Sequence, residues 1–141
     1  MSSVTPADIL ARRRYLTLNG DADGLADLFA PDAVIEFSFH GPPGTPVRLE
    51  GREAIREYSR RVMESPLRLE DYEVAELYQA QDPEVVIAEI RAKATMTTTG
   101  RSLTTTSIQI LRIREGHIVL FRDFADPRVL ADVIGEPRPG S

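Results

Sequence analysis

An acidic residue within an apolar segment is the feature of this sequence that most directly suggests chemistry. Residues 117–124 read HIVLFRDF, a pattern typical of a strand with apolar residues on both faces. The alternation of such a strand directs Asp123 to the inner side and Arg122 to the opposite side. A carboxylate in an apolar interior is costly unless it is paired, hydrogen-bonded or protonated. Asp123 is therefore either a structural, hydrogen-bonded acid or a group that exchanges protons with a ligand.

Three other side chains have the chemistry to assist such an acid, and each also has an ordinary structural explanation. The phenol of Tyr58 could donate a hydrogen bond to a substrate oxygen or to Asp123, or it could belong to the core. Tyr15 lies on the predicted apolar stripe of the first helix, as part of the core or of a pocket wall. His40 opens a loop rich in Pro and Gly, where a histidine is either exposed or able to shuttle protons.

The remaining candidates are inward positions of the predicted strands. The register of residues 101–114 places Thr105, Ser107 and Gln109 on the inner side. Three successive polar residues there are wasteful in a sealed core and fit a ligand-lined cavity better. Gln109 would bind a substrate through its amide, and aromatic side chains would pack against an apolar or aromatic body. The aromatic residues in question are Phe37, Phe39 and Phe121.

Hydrophobic periodicity predicts an α+β fold with the helices first and a long antiparallel sheet afterwards. Thr5, Pro6 and Asp8 form a capping signature for the first helix, which is expected to end near Asn19. A curved sheet wrapped on three helices leaves a cone with an internal pocket. The predicted elements are helices over residues 6–19, 21–29 and 51–63, strands over 33–39, 67–79, 84–96, 101–114 and 117–124, and a short helix from residue 127.

Composition indicates a soluble single domain over residues 1–135 with a loose tail over 136–141. The net charge of −5 argues against a nucleic-acid partner, and no apolar run is long enough to span a membrane, so we expect a cytoplasmic protein. Cysteine is absent, which excludes disulfides and thiol catalysis. The two histidines lie far apart with no acid at ligand spacing, so we expect no metal and no cofactor.

Two surface features carry further expectations. Arg12, Arg13 and Arg14 lie within the first helix, where the run predicts a solvated or salt-bridged surface rather than an anion site. The outer sheet face carries a set of Thr and Ile side chains that needs cover, which predicts a homodimer through this face. The set consists of Thr104, Thr106, Ile108 and Ile110.

Three stretches of the chain resemble one superfamily. Residues 18–34 (LNGDADGLADLFAPDAV) resemble the opening of ketosteroid-isomerase-like proteins, and residues 49–55 (LEGREAI) resemble the start of their third helix. Residues 115–127 (EGHIVLFRDFADP) are similar to the closing motif of many members. Together they resemble the nuclear-transport-factor-two-like, or SnoaL-like, superfamily. The loop sequence PPGTP at residues 42–46 is most similar to the branch of phenazine-biosynthesis proteins of the PhzA/PhzB type.

The resemblance implies roles for particular positions. In limonene-epoxide hydrolases the acid at the position of Asp123 is catalytic, but their Arg-x-Asp pair falls on Ile90 and Ala92 here. The position of the steroid-isomerase base is Phe37. In the phenazine branch the acid works with a histidine whose position is Tyr58. The resemblance thus implies a lone proton-transfer acid with a phenol beside it.

These observations lead to three functional hypotheses. The first is an enzyme of small-molecule or secondary metabolism that carries out isomerisation, cyclisation, dehydration or condensation, with Asp123 moving the proton. The second is a non-catalytic protein that binds a small apolar or aromatic ligand in the same cavity. The third is a dimerisation module whose cavity is vestigial.

Overall fold

The computed structural model, which describes residues 4–38 and 47–125, contains three helices and a six-stranded sheet. Two helices come before the first strand, and the third lies between the second and third strands. The predicted final helix, the tail and the Pro-rich loop lie outside the described residues. The first strand begins at Phe29 rather than at residue 33, and the short strand before the third helix was not predicted. The elements are α1 (Pro6–Leu18), α2 (Ala22–Asp27), β1 (Phe29–Phe37), β2 (Val47–Glu50), α3 (Arg52–Glu64), β3 (Leu67–Gln79), β4 (Val85–Met96), β5 (Ser102–Arg114) and β6 (His117–Phe124).

The sheet has the strand order β2-β1-β6-β5-β4-β3. Strands β3 to β6 form successive antiparallel hairpins, as the tight connections in the sequence predict. Register shifts in the β3–β4 pair mark irregularities of the kind that bend a strand. The predicted α+β cone is confirmed with one difference: β1 runs parallel to β6. The chain passes through β2, α3, β3, β4 and β5 before it returns beside β1.

The starts of α1 and α3 are fixed by backbone contacts that position the side chains described below. The Thr5 side chain accepts a hydrogen bond from the Asp8 N–H at 3.1 Å, and Asp8 accepts from the Thr5 N–H at 3.0 Å, so the predicted capping box is confirmed. Gly51 caps α3 at a φ of 94°, a conformation that favours glycine, and its N–H donates to the Ala33 carbonyl at 2.8 Å. The guanidinium of Arg52 donates twice to the Phe29 carbonyl, which ties α3 to β1.

The core lies between the helices and the inner sheet face. The predicted alternation of β4 is confirmed, since Val86, Ala88 and Ile90 are buried while Arg91 and Lys93 are exposed. The apolar side chains of the three helices, together with the inner positions of the sheet, form one hydrophobic cluster that leaves a cavity on one side.

The predicted buried stripe of α1 is wrong. Tyr15 is 58% exposed, and its ring lies 5.7 Å from the guanidinium carbon of Arg12. The buried residues of this helix are Ile9, Leu10 and Leu16. Burying three large aliphatic side chains outweighs burying one tyrosine and small alanines, and this rotates the helix relative to the prediction.

Candidate functional site

A cavity of about 960 Å³ lies between the helices and the inner face of the sheet. Its walls come from α1, α3, β1, β3 and β6 and carry many apolar side chains, including Ile35 and Leu69. Polar side chains stand among them, including Thr17, Ser59 and Glu70. A concave space lined by both apolar and polar groups is a common form of small-molecule site. Four of the predicted site residues line it, namely Phe37, Tyr58, Phe121 and Asp123.

Asp123 lies on the inner side of β6, as the alternation predicts. It stands between Phe37 of β1 and Gln109 of β5 in the register of the sheet, and its carbonyl accepts a hydrogen bond from the Ser38 N–H at 3.0 Å. The Oδ1 atom of its carboxyl group is buried. Arg122 projects to the opposite face, where its Nε lies 3.3 Å from Glu36. The neighbouring arginine therefore does not neutralise Asp123.

Tyr58 of α3 reaches the same region of the cavity. Its ring packs against Phe37 with 5.2 Å between the ring centroids. Burial raises the pKa of the Tyr58 phenol, and the negative charge of Asp123 raises this pKa further. The phenol therefore stays protonated at neutral pH, where it is a hydrogen-bond donor rather than a base.

Arg13 is a cavity residue that the sequence analysis assigned to the helix surface, and for this residue that prediction is wrong. Its guanidinium carbon lies 4.4 Å from the ring centroid of Phe121 and 5.1 Å from that of Tyr72. Arg12 is exposed and Arg14 forms an ion pair with Asp71 at 2.9 Å, so the prediction holds for these two neighbours. A usable signal was present in the sequence. Arg13 stands four residues after Ile9 and three before Leu16, which places it on the buried face of the helix.

Behind Arg13 lies a buried polar pair that holds it in place. The Nη1 atom of Arg13 donates to Oε1 of Gln109 at 2.6 Å and also to the hydroxyl oxygen of Tyr72. The Tyr72 hydroxyl donates to the same Gln109 oxygen at 3.2 Å. Gln109 is 3% exposed and Tyr72 is 6% exposed, and neither lines the cavity. The predicted inward orientation of Gln109 is confirmed, but its amide oxygen serves Arg13.

Tyr72 is the second phenol of the site, and burial is the main influence on its pKa as well. Burial raises the pKa of Tyr72, the Asp123 charge raises it further, and the Arg13 charge lowers it. Tyr72 lies next to both charges and remains a neutral phenol. Tyr72 was absent from the predicted site because nothing in the sequence of β3 distinguishes it from an ordinary core tyrosine.

The other predicted site residues lie elsewhere. Ser107 is buried with 8% exposure and Thr105 is half-buried, and neither lines the cavity. Tyr15 does not line the cavity, in keeping with its outward orientation, and we no longer place it at the site. Phe39 and His40 lie outside the described residues.

Residues 4–38 and 47–125 contain no group of three or more His, Cys, Asp or Glu side chains placed to hold a metal ion. Within the same ranges, every helix is too short or too polar to cross a membrane.

Comparison with known proteins identifies the family of this chain. The sequence profile of the SnoaL-like domain matches residues 12–121. The chain belongs to the SnoaL-like domain family. An uncharacterised PhzA/B-like protein of Pseudomonas aeruginosa is 37% identical over 129 residues, which cover 91% of this chain and 89% of that protein. The resemblance inferred from the sequence is thereby confirmed for this SnoaL-like protein.

Two solved structures are similar to this SnoaL-like protein over most of its length. A Bacillus subtilis protein, provisionally named an isomerase, is 27% identical with a TM-score of 0.83, and the match covers 93% of each chain. SalBIII, an epoxide hydrolase/cyclase-like enzyme of pyran ring formation in salinomycin, is 24% identical with a TM-score of 0.70, covering 87% of this chain and 92% of that one. Small-molecule isomerase-type and cyclase-type proteins therefore share this fold.

Proposed function

We propose that this SnoaL-like protein is an enzyme that performs acid–base chemistry on a small molecule, with Asp123 as the group that moves the proton. The observation that carries the proposal is the position of Asp123 in the wall of the cavity, where its charge acts on two phenols, Tyr58 and Tyr72, that stay protonated. Among these three groups, only the carboxylate is suited to accept a proton near neutral pH. The names of the structural relatives, an isomerase and a cyclase-like enzyme, agree with this chemistry.

The proposed reaction begins with removal of a proton from a carbon next to a carbonyl group. The carboxylate of Asp123 accepts that proton, and the electron pair of the broken C–H bond forms an enolate. Asp123 then returns the proton to another atom, which isomerises the substrate. Alternatively, the carbanion attacks a carbonyl carbon within the same molecule, the carbonyl π electrons move onto its oxygen, and that oxygen takes the proton from Asp123 as the ring closes. The Tyr58 hydroxyl, next to Asp123 at the cavity wall, donates a hydrogen bond to a substrate oxygen.

The aromatic side chains in the cavity indicate the shape of the substrate. Phe37 and Phe121 stand on neighbouring strands on the inner side, and Phe37 is also packed against Tyr58. Flat rings next to the acid favour a substrate with an apolar or aromatic body, because such a body buries its surface against them.

Replacement of Asp123 by Asn tests the proposal. Asn keeps the size of the side chain but cannot accept a proton. Asp123→Asn should therefore keep the fold and the binding of any small molecule that co-purifies with the protein, while conversion of that molecule falls by about a hundredfold or more. The measurement is mass spectrometry of the small molecules retained by each protein before and after incubation. Unchanged conversion by the variant would contradict the proposal, and an unaltered ligand in both proteins would favour a non-catalytic binding protein.

We also propose that two copies of the chain associate through the outer face of the sheet. On the described part of that face, Ile108 is 37% exposed and Tyr78 is 47% exposed, with Ile87 and Ile110 half-buried beside them. Ile87 and Ile110 are direct cross-strand partners, as are Tyr78 and Ile87, so these side chains lie on one side of the sheet. An apolar patch of this kind supports association with a second copy.

A further inference from the structure

The guanidinium of Arg13 is held from one side only. Its Nη1 atom uses its two N–H groups on Gln109 and Tyr72, which lie behind it in the wall. Its Nε and Nη2 atoms carry three more N–H groups. Within the described residues, no acceptor lies within hydrogen-bonding distance of those two atoms. Arg13 lines the cavity while its two supports do not, so these N–H groups are the part of the guanidinium that a ligand in the cavity can use.

The charge of Arg13 is likewise not cancelled by direct contact. A guanidinium remains protonated at all ordinary pH values. Among residues 4–38 and 47–125, no carboxylate lies within 4.0 Å of it, whereas Arg14 and Arg56 each form ion pairs. Its supports are neutral groups and two aromatic rings, Phe121 and Tyr72. A partly buried cation with spare donors at the wall of a cavity favours an anionic oxygen as its ligand.

We propose that Arg13 binds the substrate oxygen that becomes negatively charged when Asp123 removes the proton, an inference that rests on the proposed function. The substrate class is a carbonyl compound with an acidic C–H bond next to the carbonyl group. As the C–H bond breaks, its proton goes to Asp123, its electron pair forms the carbon–carbon double bond, and the carbonyl π electrons move onto the oxygen at Arg13. When the enolate collapses, the proton of Asp123 returns to carbon, and the substrate oxygen bound to Arg13 loses its negative charge as the carbonyl group re-forms.

The geometry supports this assignment because the two charges occupy one cavity and reach it from different elements. Arg13 comes from α1 and Asp123 from β6, and both influence Tyr72. Phe121 stands two residues before Asp123 on the same side of β6 and lies under the Arg13 guanidinium. A carbonyl carbon skeleton lying along Phe121 would therefore extend from one charge towards the other. A preorganised cation placed where negative charge develops is the most effective form of electrostatic stabilisation.

A phenol that mimics the enolate tests the inference without requiring turnover. The probe is 4-nitrophenol, whose neutral and ionised forms are distinguished by their absorbance. The background is Asp123→Asn, because a neutral side chain at this position stands for the protonated acid present together with the enolate. We expect this protein to bind the phenolate about tenfold or more tightly than the neutral phenol, as charge-assisted hydrogen bonds to a partly buried guanidinium provide. Titrations on both sides of the pKa of the probe give the two affinities.

Variants of the arginine run provide the controls. Arg13→Gln in the Asp123→Asn background should abolish the preference for the phenolate, and Arg13→Lys should restore part of it. Arg12→Gln removes the same unit charge from an exposed neighbour and should leave the preference unchanged. Thermal melting of each protein shows that the comparison is made between folded chains.

The results separate this inference from the proposed function. The same phenolate preference after Arg13→Gln, or no preference in the Asp123→Asn protein, would overturn the role of Arg13, whatever happens to turnover. A preference that depends on Arg13, combined with conversion that does not depend on Asp123, would support the anion site and contradict the proton-transfer role of Asp123.

Discussion

Arg13 and Asp123 place charges of opposite sign into one cavity, and the pKa of Tyr72 responds to both. Tyr72 receives opposing influences, since Arg13 lowers its pKa while burial and Asp123 raise it. The pKa of Tyr58 is raised by burial and by the charge of Asp123. The tyrosines therefore serve as internal probes of whether the Asp123 carboxylate is ionised and close to them.

Asp123→Asn is expected to lower the pKa of both Tyr58 and Tyr72, because it removes the negative charge that disfavours their ionisation. Tyr78 is the matched control. Its pKa is also raised, but its hydroxyl hydrogen-bonds to Glu89 at 2.6 Å on the other face of the sheet, so its titration should not change. NMR of tyrosine ring carbons over an alkaline titration measures each residue separately. An unchanged titration of Tyr58 would contradict the placement of its phenol beside an ionised Asp123.

Sequence patterns identify the acid of this site better than its cation. Asp123 stands out in the sequence because the residues around it in the strand are apolar. The inward orientation of Phe37 and Phe121 is predicted by the same period of two. Arg13 was hidden within a run of three arginines, two of which do lie on the surface. Tyr72 and its partner Gln109 are 37 residues apart in the chain. Contacts over that distance depend on how strands pair, which no local pattern encodes.

At the scale of elements, local periodicity predicts individual helices and strands but not all of their partners. The bounds of β3 and β6 agree with the prediction because both strands alternate clearly and are followed or preceded by turn residues. β2 was missed because only four residues pair with β1. The parallel pairing of β1 with β6 was missed for a different reason: it joins segments separated by most of the chain.

The junction of β3, β4 and β5 is tied together by an ion-pair cluster around Glu84. Its carboxylate accepts hydrogen bonds from Arg114 at 2.9 Å and from Arg112 at 3.0 Å, and the Arg112 guanidinium also reaches Asp82. Hydrogen bonds from Arg114, then from Arg112, lower the pKa of Glu84 from 4.5 to about 2. A carboxyl group whose pKa is lower in the folded state stabilises the fold above its unfolded pKa, and that contribution is lost as the group is protonated.

Glu84→Gln is therefore expected to lower the melting temperature at neutral pH by a small amount, since the cluster is exposed to solvent. The difference from the wild type should shrink between pH 4.5 and pH about 2 and vanish below that range. Thermal melts across this range measure it. Glu64→Gln, an exposed acid at the end of α3, provides the control. A difference that stays constant down to pH about 2 would show that the ion pairs of Glu84 contribute nothing.

At the scale of the whole molecule, the two faces of the sheet differ in character. The inner face carries the cavity, and the outer face carries the patch formed by Tyr78, Ile87, Ile108 and Ile110. Covering the outer patch with a second copy would leave both cavities intact, because the helices occupy the inner side. The prediction of a homodimer from sequence rested on Ile108 and Ile110 together with Thr104 and Thr106.

Ile108→Glu is expected to convert the dimer into a monomer, because the change buries a carboxylate at the centre of an apolar interface. Sedimentation velocity at several protein concentrations measures the change. Arg12→Glu, on the exposed side of α1, changes the net charge by two units rather than one and should leave the assembly unchanged. A wild-type chain that sediments as a monomer at every concentration would rule out this interface.

The central claim is that Asp123 removes a proton from carbon, and solvent deuterium uptake tests it most directly. The probe is 2-tetralone, a flat, apolar ketone with an acidic C–H bond next to its carbonyl group, incubated in heavy water and followed by NMR. We predict that the wild-type protein speeds the exchange of this hydrogen above the buffer rate, and that Asp123→Asn loses at least about nine-tenths of this acceleration, since a positioned base contributes about a hundredfold or more. Arg12→Gln should exchange at the wild-type rate. Equal exchange rates for the wild type and Asp123→Asn would contradict the claim.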